Sequence, residues 1–108
     1  MKSAQKIASL NTRKTPSQKT YLVIETYKEG KAKEVYNRFS EKGRMIPSGV
    51  VYINSWVQKD LQKCYQIMES ESWEKLNEWI DYWKDLVDFE VIPVMSSEVA
   101  SQIQKEKK

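Results

Sequence analysis

Polar side chains set among apolar residues are where this sequence offers chemistry. Six stand out: Glu25, Asn54, Ser55, Gln66, Glu69 and Glu90. Each lies in a run otherwise rich in valine, isoleucine, tyrosine and tryptophan, and a polar group taken out of water must be matched by a partner. One reading has a subset of them lining a cavity between helices and sheet, around a small polar ligand. The other has them paired with one another, with backbone or with water at strand ends. Arg44 is a second lead. A guanidinium fixed beside a turn can bind a carboxylate or phosphate; alternatively it bridges to Glu69, Glu90 or an acid of the following helix. The ligand-binding candidates are therefore Arg44, Asn54, Trp56, Gln66 and Glu69.

The residues that are missing narrow the chemistry. The chain has no histidine and one cysteine, Cys64. Ser-His-Asp and Cys-His nucleophilic mechanisms are excluded. A thiolate metal site is excluded too, and only an oxygen-rich one would remain; no metal and no cofactor is expected. Cys64 has no histidine to activate it and reads as a small buried apolar residue. Trp73, Trp79 and Trp83 fall at helical spacing, which marks core, whereas Trp56 sits on a strand and is free to face a partner. Tyr36, Tyr52 and Tyr65 are able to donate hydrogen bonds to a ligand ring, although no spacing singles them out.

These residues must be held by a single small domain. The chain has 108 residues with 40% hydrophobic and 31% charged, ordinary for a globular protein. Neither a membrane-crossing apolar run nor a secretory h-region is present, so a cytoplasmic location is expected. The net charge of +3 is unevenly distributed. Residues 1–20 carry five Lys/Arg and no acid, whereas residues 21–95 carry ten Lys/Arg against thirteen Asp/Glu. The folded part is mildly acidic, which argues against a nucleic-acid-binding face. Residues 1–20 read as a flexible basic extension, with a transit peptide or transient nucleic-acid or membrane-surface contact as alternatives.

Tyr21–Tyr27 is a strand by its β-branched and aromatic residues. Lys31–Lys42 is a helix with Ala32, Val35, Tyr36 and Phe39 on one stripe, closed by Gly43. Val50–Val57 and Cys64–Glu69 form a hairpin. Symmetry about its loop puts Ser55 opposite Gln66 and Trp56 opposite Tyr65. A second helix starts at a Ser70 or Ser72 cap, with Trp73, Leu76, Ile80, Trp83 and Val87 as its buried stripe, widened by Trp79 and Leu86. Phe89–Met95 is a last strand, and Pro93 makes it an edge or a bulged one. Residues 96–108 form a tail with a short helix over Ser96–Lys105. The order β-α-β-β-α-β gives an α+β, ferredoxin-like sandwich over residues 21–95 with both helices on one sheet face.

The strands are apolar on both faces. Leu22 and Ile24 oppose Tyr21, Val23 and Tyr27; Val51, Ile53 and Val57 oppose Val50, Tyr52 and Trp56; Cys64 and Met68 oppose Tyr65 and Ile67. A sheet with helices on one side and water on the other would alternate. A second copy, a ligand or the C-terminal tail must cover the other face, and a homodimer through the sheet is the expectation.

Lys42-Gly-Arg-Met-Ile-Pro-Ser-Gly49, Tyr52-Ile-Asn-Ser-Trp56, Cys64-Tyr-Gln-Ile-Met-Glu69 and the stretch from Trp79 to Val94 resemble the small bacterial proteins called domain of unknown function 3303. The likeness runs from about Tyr21 to Glu98. It implies a dimeric α+β barrel, in which two ferredoxin-like sheets pack face to face. No activity comes with the family. Relatives of that wider architecture include cofactor-free monooxygenases, lactone isomerases, haem-handling enzymes and ligand-binding modules. The function expected is a dimeric module that binds a small molecule or partner without catalysis. The alternative is a cofactor-independent oxygenase or isomerase with a cavity lined by Asn54, Gln66, Glu69 or Trp56. An RNA-binding module of the same strand order is disfavoured: its third strand would need several aromatics with Gly and basic residues.

Overall fold

A computed structural model describes residues 19–106. The basic extension falls almost wholly outside the described residues; its last two, Lys19 and Thr20, open the first strand. In chain order the elements are β1 (Lys19–Tyr27), α1 (Ala32–Lys42), β2 (Val50–Val57), β3 (Lys63–Ser70), α2 (Trp73–Asp81), β4 (Val87–Val94) and α3 (Ser97–Glu106). The sheet is antiparallel in the order β2-β3-β1-β4. This is the ferredoxin-like topology expected from the sequence, with an added C-terminal helix.

Local chemistry sets the ends. Gly43 closes α1 at φ 66°, its N–H donating to the Phe39 carbonyl, a left-handed conformation that glycine adopts without a Cβ penalty. Ser72 caps α2 by accepting from the Lys75 N–H at 3.2 Å. β4 lies at the sheet edge with Pro93 opposite Tyr21, where the missing proline donor is least costly. β4 begins at Val87, two residues before the expected Phe89, because Val87 already pairs with Tyr27.

The helices cover the face that carries Tyr21, Val23, Glu25 and Tyr27 of β1, all buried. Trp79 of α2 meets Phe89 of β4 edge-to-face at 5.7 Å, and Tyr36 of α1 meets Tyr27 at 6.0 Å. Arg38 ties the two helical segments together. Its guanidinium makes a two-point contact with the Asp85 carboxylate, donates to the Tyr82 carbonyl at 2.9 Å and lies over the Trp83 ring. The Arg38 hydrogen bond holds the Asp85 carboxyl below its usual range.

Two expectations are corrected. Trp73 is 48% exposed rather than part of the buried stripe. It is the first residue of α2, and helical side chains lean toward the N-terminus, so Trp73 projects past the packed turns. The helix also ends at Asp81, short of the expected Val87: its buried residues are Leu76, Trp79 and Ile80, while Trp83 and Leu86 are buried in the turn that follows and Val87 in β4.

The second correction concerns β2. Ser55 pairs with Gln66 and Trp56 with Tyr65, as the loop symmetry predicts. The register nevertheless shifts between Tyr52, opposite Met68, and Asn54, opposite Ile67, so Ile53 is an extra residue in a bulge. A bulge swaps the parity of everything beyond it. Val50, Tyr52, Ser55 and Val57 therefore share the helix-covered face, while Val51, Asn54 and Trp56 share the other. Val57 and Trp56 each lie opposite to where unbroken alternation would put them.

Leu76, fully buried under the helix layer, gives a direct test of this core. Leu76→Ala is expected to cost about 2–5 kcal/mol, read as a lowered midpoint in urea denaturation with an unchanged slope.

Candidate functional site

The bulge brings Ser55 to the same side of the sheet as Gln66 and Glu25, and there a cleft opens between sheet and helices. Its cavity volume is about 100 Å³, and it is open at the mouth. Glu25, Cys64 and Gln66 line it from the two central strands, and Ser55 and Val57 from β2. Val35, Trp79 and Trp83 wall it from the helical side, with Tyr36 and Phe39 at the exposed rim.

Arg44 enters the cleft from the loop after α1. Its backbone carbonyl accepts from two indoles, Trp79 Nε1 at 2.9 Å and Trp83 Nε1 at 3.0 Å, which uses both lone pairs of that oxygen. Its guanidinium lies over the Tyr52 ring at 3.8 Å and the Phe39 ring at 5.0 Å. One nitrogen, Nη2, donates to Ser55 Oγ at 3.3 Å, and Ser55 Oγ in turn shares a 2.7 Å hydrogen bond with the Tyr52 hydroxyl. Among the described residues Arg44 has no carboxylate within ion-pair distance. The expected bridges to Glu69, Glu90 or an acid of α2 are not made, because the Trp79 and Trp83 clamp holds the residue over the cleft instead.

At the base, Gln66 Nε2 donates to Glu25 Oε2. Burial pushes the Glu25 carboxyl up to about 7 from an ordinary 4.5, against the pull of the Arg44 charge and the Gln66 hydrogen bond. Gln66 Oε1 is buried and has no hydrogen-bond partner. Burial also pushes the Cys64 thiol up to about 11 and raises the Tyr27 hydroxyl beyond its ordinary range. Both are neutral at physiological pH. Below pH 7 the cleft's charge is the Arg44 cation.

Of the five candidates named from sequence, Arg44 and Gln66 share this cleft. Asn54 and Trp56 lie on the opposite face, turned there by the bulge at Ile53. Glu69 is also on that face, buried in a groove beside Ile53, Ile67 and Val99 of α3. Glu25 and Ser55, which the sequence marks as polar residues within strands, join the cleft pair. The rim residues Tyr36 and Phe39 read from sequence as helix core and are in fact half-open over the cleft, because α1 buries only Val35 fully.

The chain is a member of the domain of unknown function DUF3303 family, whose model matches residues 19–108. No curated protein matches the chain. Among the described residues, no helix is long and apolar enough to cross a membrane.

The raised Glu25 carboxyl gives a signed prediction. Between about pH 4.5 and pH 7 the folded protein keeps a proton that the unfolded chain has released, so stability falls as pH rises through that window and levels off above it. The loss is on the order of 3 kcal/mol. Urea denaturation across pH 4.5 to 8 is expected to show this fall, and Glu25→Gln to remove most of it. A profile unchanged by Glu25→Gln would contradict the assignment.

Proposed function

We propose that the cleft binds a small organic anion with a flat apolar body, an aryl carboxylate being the simplest case. The observation that carries this reading is the Arg44 guanidinium: held at the cleft between two aromatic rings, it has no acidic partner among the described residues. A guanidinium kept in place by stacking has little rotamer freedom left to lose when it takes up a carboxylate. The indole and phenyl surfaces of Trp79, Trp83 and Phe39 suit a ring. Binding rather than turnover is favoured because one proton-transfer group is present and a second is not. Glu25 sits near the pKa that a general base needs, which supports the isomerase alternative, but Cys64 and Tyr27 are both displaced away from neutral titration.

Benzoate is the first probe. Isothermal titration is expected to detect it and to show affinity rising as pH falls from 8 to 6, since protonating Glu25 removes a repulsive charge. Arg44→Gln is expected to weaken it by about tenfold or more, the scale of a lost charged hydrogen bond. Equal binding by the variant would contradict the proposal.

A second part of the reading concerns the face that α1 and α2 leave open. Leu22, Ile24 and Ile67 are only half-buried there, and Trp56 is 69% exposed. We propose that a second copy covers them, since a two-fold pairing buries the same apolar patch on both subunits. Native mass spectrometry is expected to give a dimer, and Ile24→Glu a monomer with unchanged far-ultraviolet dichroism. A monomeric parent protein would contradict the pairing.

A further inference from the structure

The cleft contains one unsatisfied demand, and it specifies more of the ligand than its charge. Gln66 lies on the central strand β3, is 4% exposed and lines the base of the cleft. Its Nε2 is committed to Glu25 Oε2. With Glu25 ionised, above about pH 7, its oxygens can only accept, so the amide nitrogen faces Glu25 and the amide oxygen is the end left without a partner. That oxygen, Oε1, is buried without a partner. A buried acceptor left unpaired carries a desolvation penalty that a donor would relieve. The neighbouring groups do not supply one. The Ser55 hydroxyl is shared between Arg44 and Tyr52, and both indole N–H groups point at the Arg44 carbonyl.

We infer that Gln66 Oε1 is a specificity subsite that accepts a hydrogen bond from the ligand, so that the preferred ligand is an aryl carboxylate bearing a hydroxyl or amino donor away from its carboxylate. This inference rests on the anion-binding reading of Arg44. Arg44 takes the carboxylate, the indole and phenyl rings take the body, and Gln66 reads the far substituent. The selectivity follows from the asymmetry of hydrogen bonding: a ligand with a donor satisfies Oε1, whereas one with only an acceptor places two lone pairs against each other in a buried site. A methyl ether and a phenol of the same ring therefore separate donor recognition from size and ring stacking.

The test is a titration of the full-length protein at pH 8, where Glu25 is ionised, with benzoate, 3- and 4-hydroxybenzoate, 4-aminobenzoate, and 3- and 4-methoxybenzoate. The better hydroxy isomer is expected to bind about tenfold tighter than its methoxy counterpart, a ratio typical of one satisfied against one unsatisfied buried hydrogen bond. In Gln66→Met that ratio is expected to collapse toward one. The comparison in the unmodified protein stands without any variant, so a poorly folding Gln66→Met does not blunt it. Equal affinity for hydroxy and methoxy probes, with binding still lost in Arg44→Gln, would overturn the donor subsite and leave the anion site standing. Binding of none of the probes would overturn both.

Discussion

Two indole N–H groups on one backbone oxygen hold the site together. Trp79 in the last turn of α2 and Trp83 in the turn just after it both donate to the carbonyl of Arg44. Each indole is buried, so each donor needs a partner, and one carbonyl satisfies both. The consequence is positional. The loop after α1 is drawn against α2, Met45 takes a left-handed conformation at φ 59°, and the Arg44 side chain is delivered over the cleft. The Arg38 clamp on Asp85 and Tyr82 fixes α1 against the same turn from the other side. The helix layer is thus tied at two points, and the cleft is the space between those ties and the sheet.

The sheet contributes a different constraint, a carboxyl placed where water is scarce. Glu25 occupies a core position of the central strand β1, between Cys64 of β3 and Phe89 of β4. Desolvation outweighs both the Arg44 field and the Gln66 hydrogen bond, so the carboxyl titrates near neutrality. Its cost to stability in the ionised form is the kind of burden that functional sites carry and structural cores avoid. Glu25 does not neutralise Arg44 by direct ion pairing, and so the guanidinium keeps its charge available to a ligand.

The order of elements was legible in the residues because each rests on local periodicity: β-branched strands, two amphipathic helices, a glycine stop after α1 and a serine cap before α2. The hairpin pairing of Ser55 with Gln66 was legible as well, since the loop between Val57 and Cys64 is polar and symmetric. What was hidden depends on contacts distant in sequence or on a single extra residue. The bulge at Ile53 is hidden because Val50–Val57 is apolar on both faces, so no regular alternation exists for the extra residue to break. That one residue moves Asn54 and Trp56 away from the cleft and Ser55 into it. The partners of Arg44 were hidden for the other reason: its clamp comes from tryptophans 35 and 39 residues later, and helical spacing marks those rings as core without saying where their N–H groups point.

The distribution of the four tryptophans offers the most direct measurement. Trp79 and Trp83 wall the cleft, while Trp56 and Trp73 lie outside it and are exposed. Their indole N–H resonances can be followed separately in a nitrogen-proton correlation spectrum during titration with 4-hydroxybenzoate. A ligand held by Arg44 between sheet and helices should move the Trp79 and Trp83 resonances in a saturable way and leave those of Trp56 and Trp73 in place. Movement confined to Trp56 or Trp73 would put the ligand elsewhere on the protein and contradict the cleft as its site.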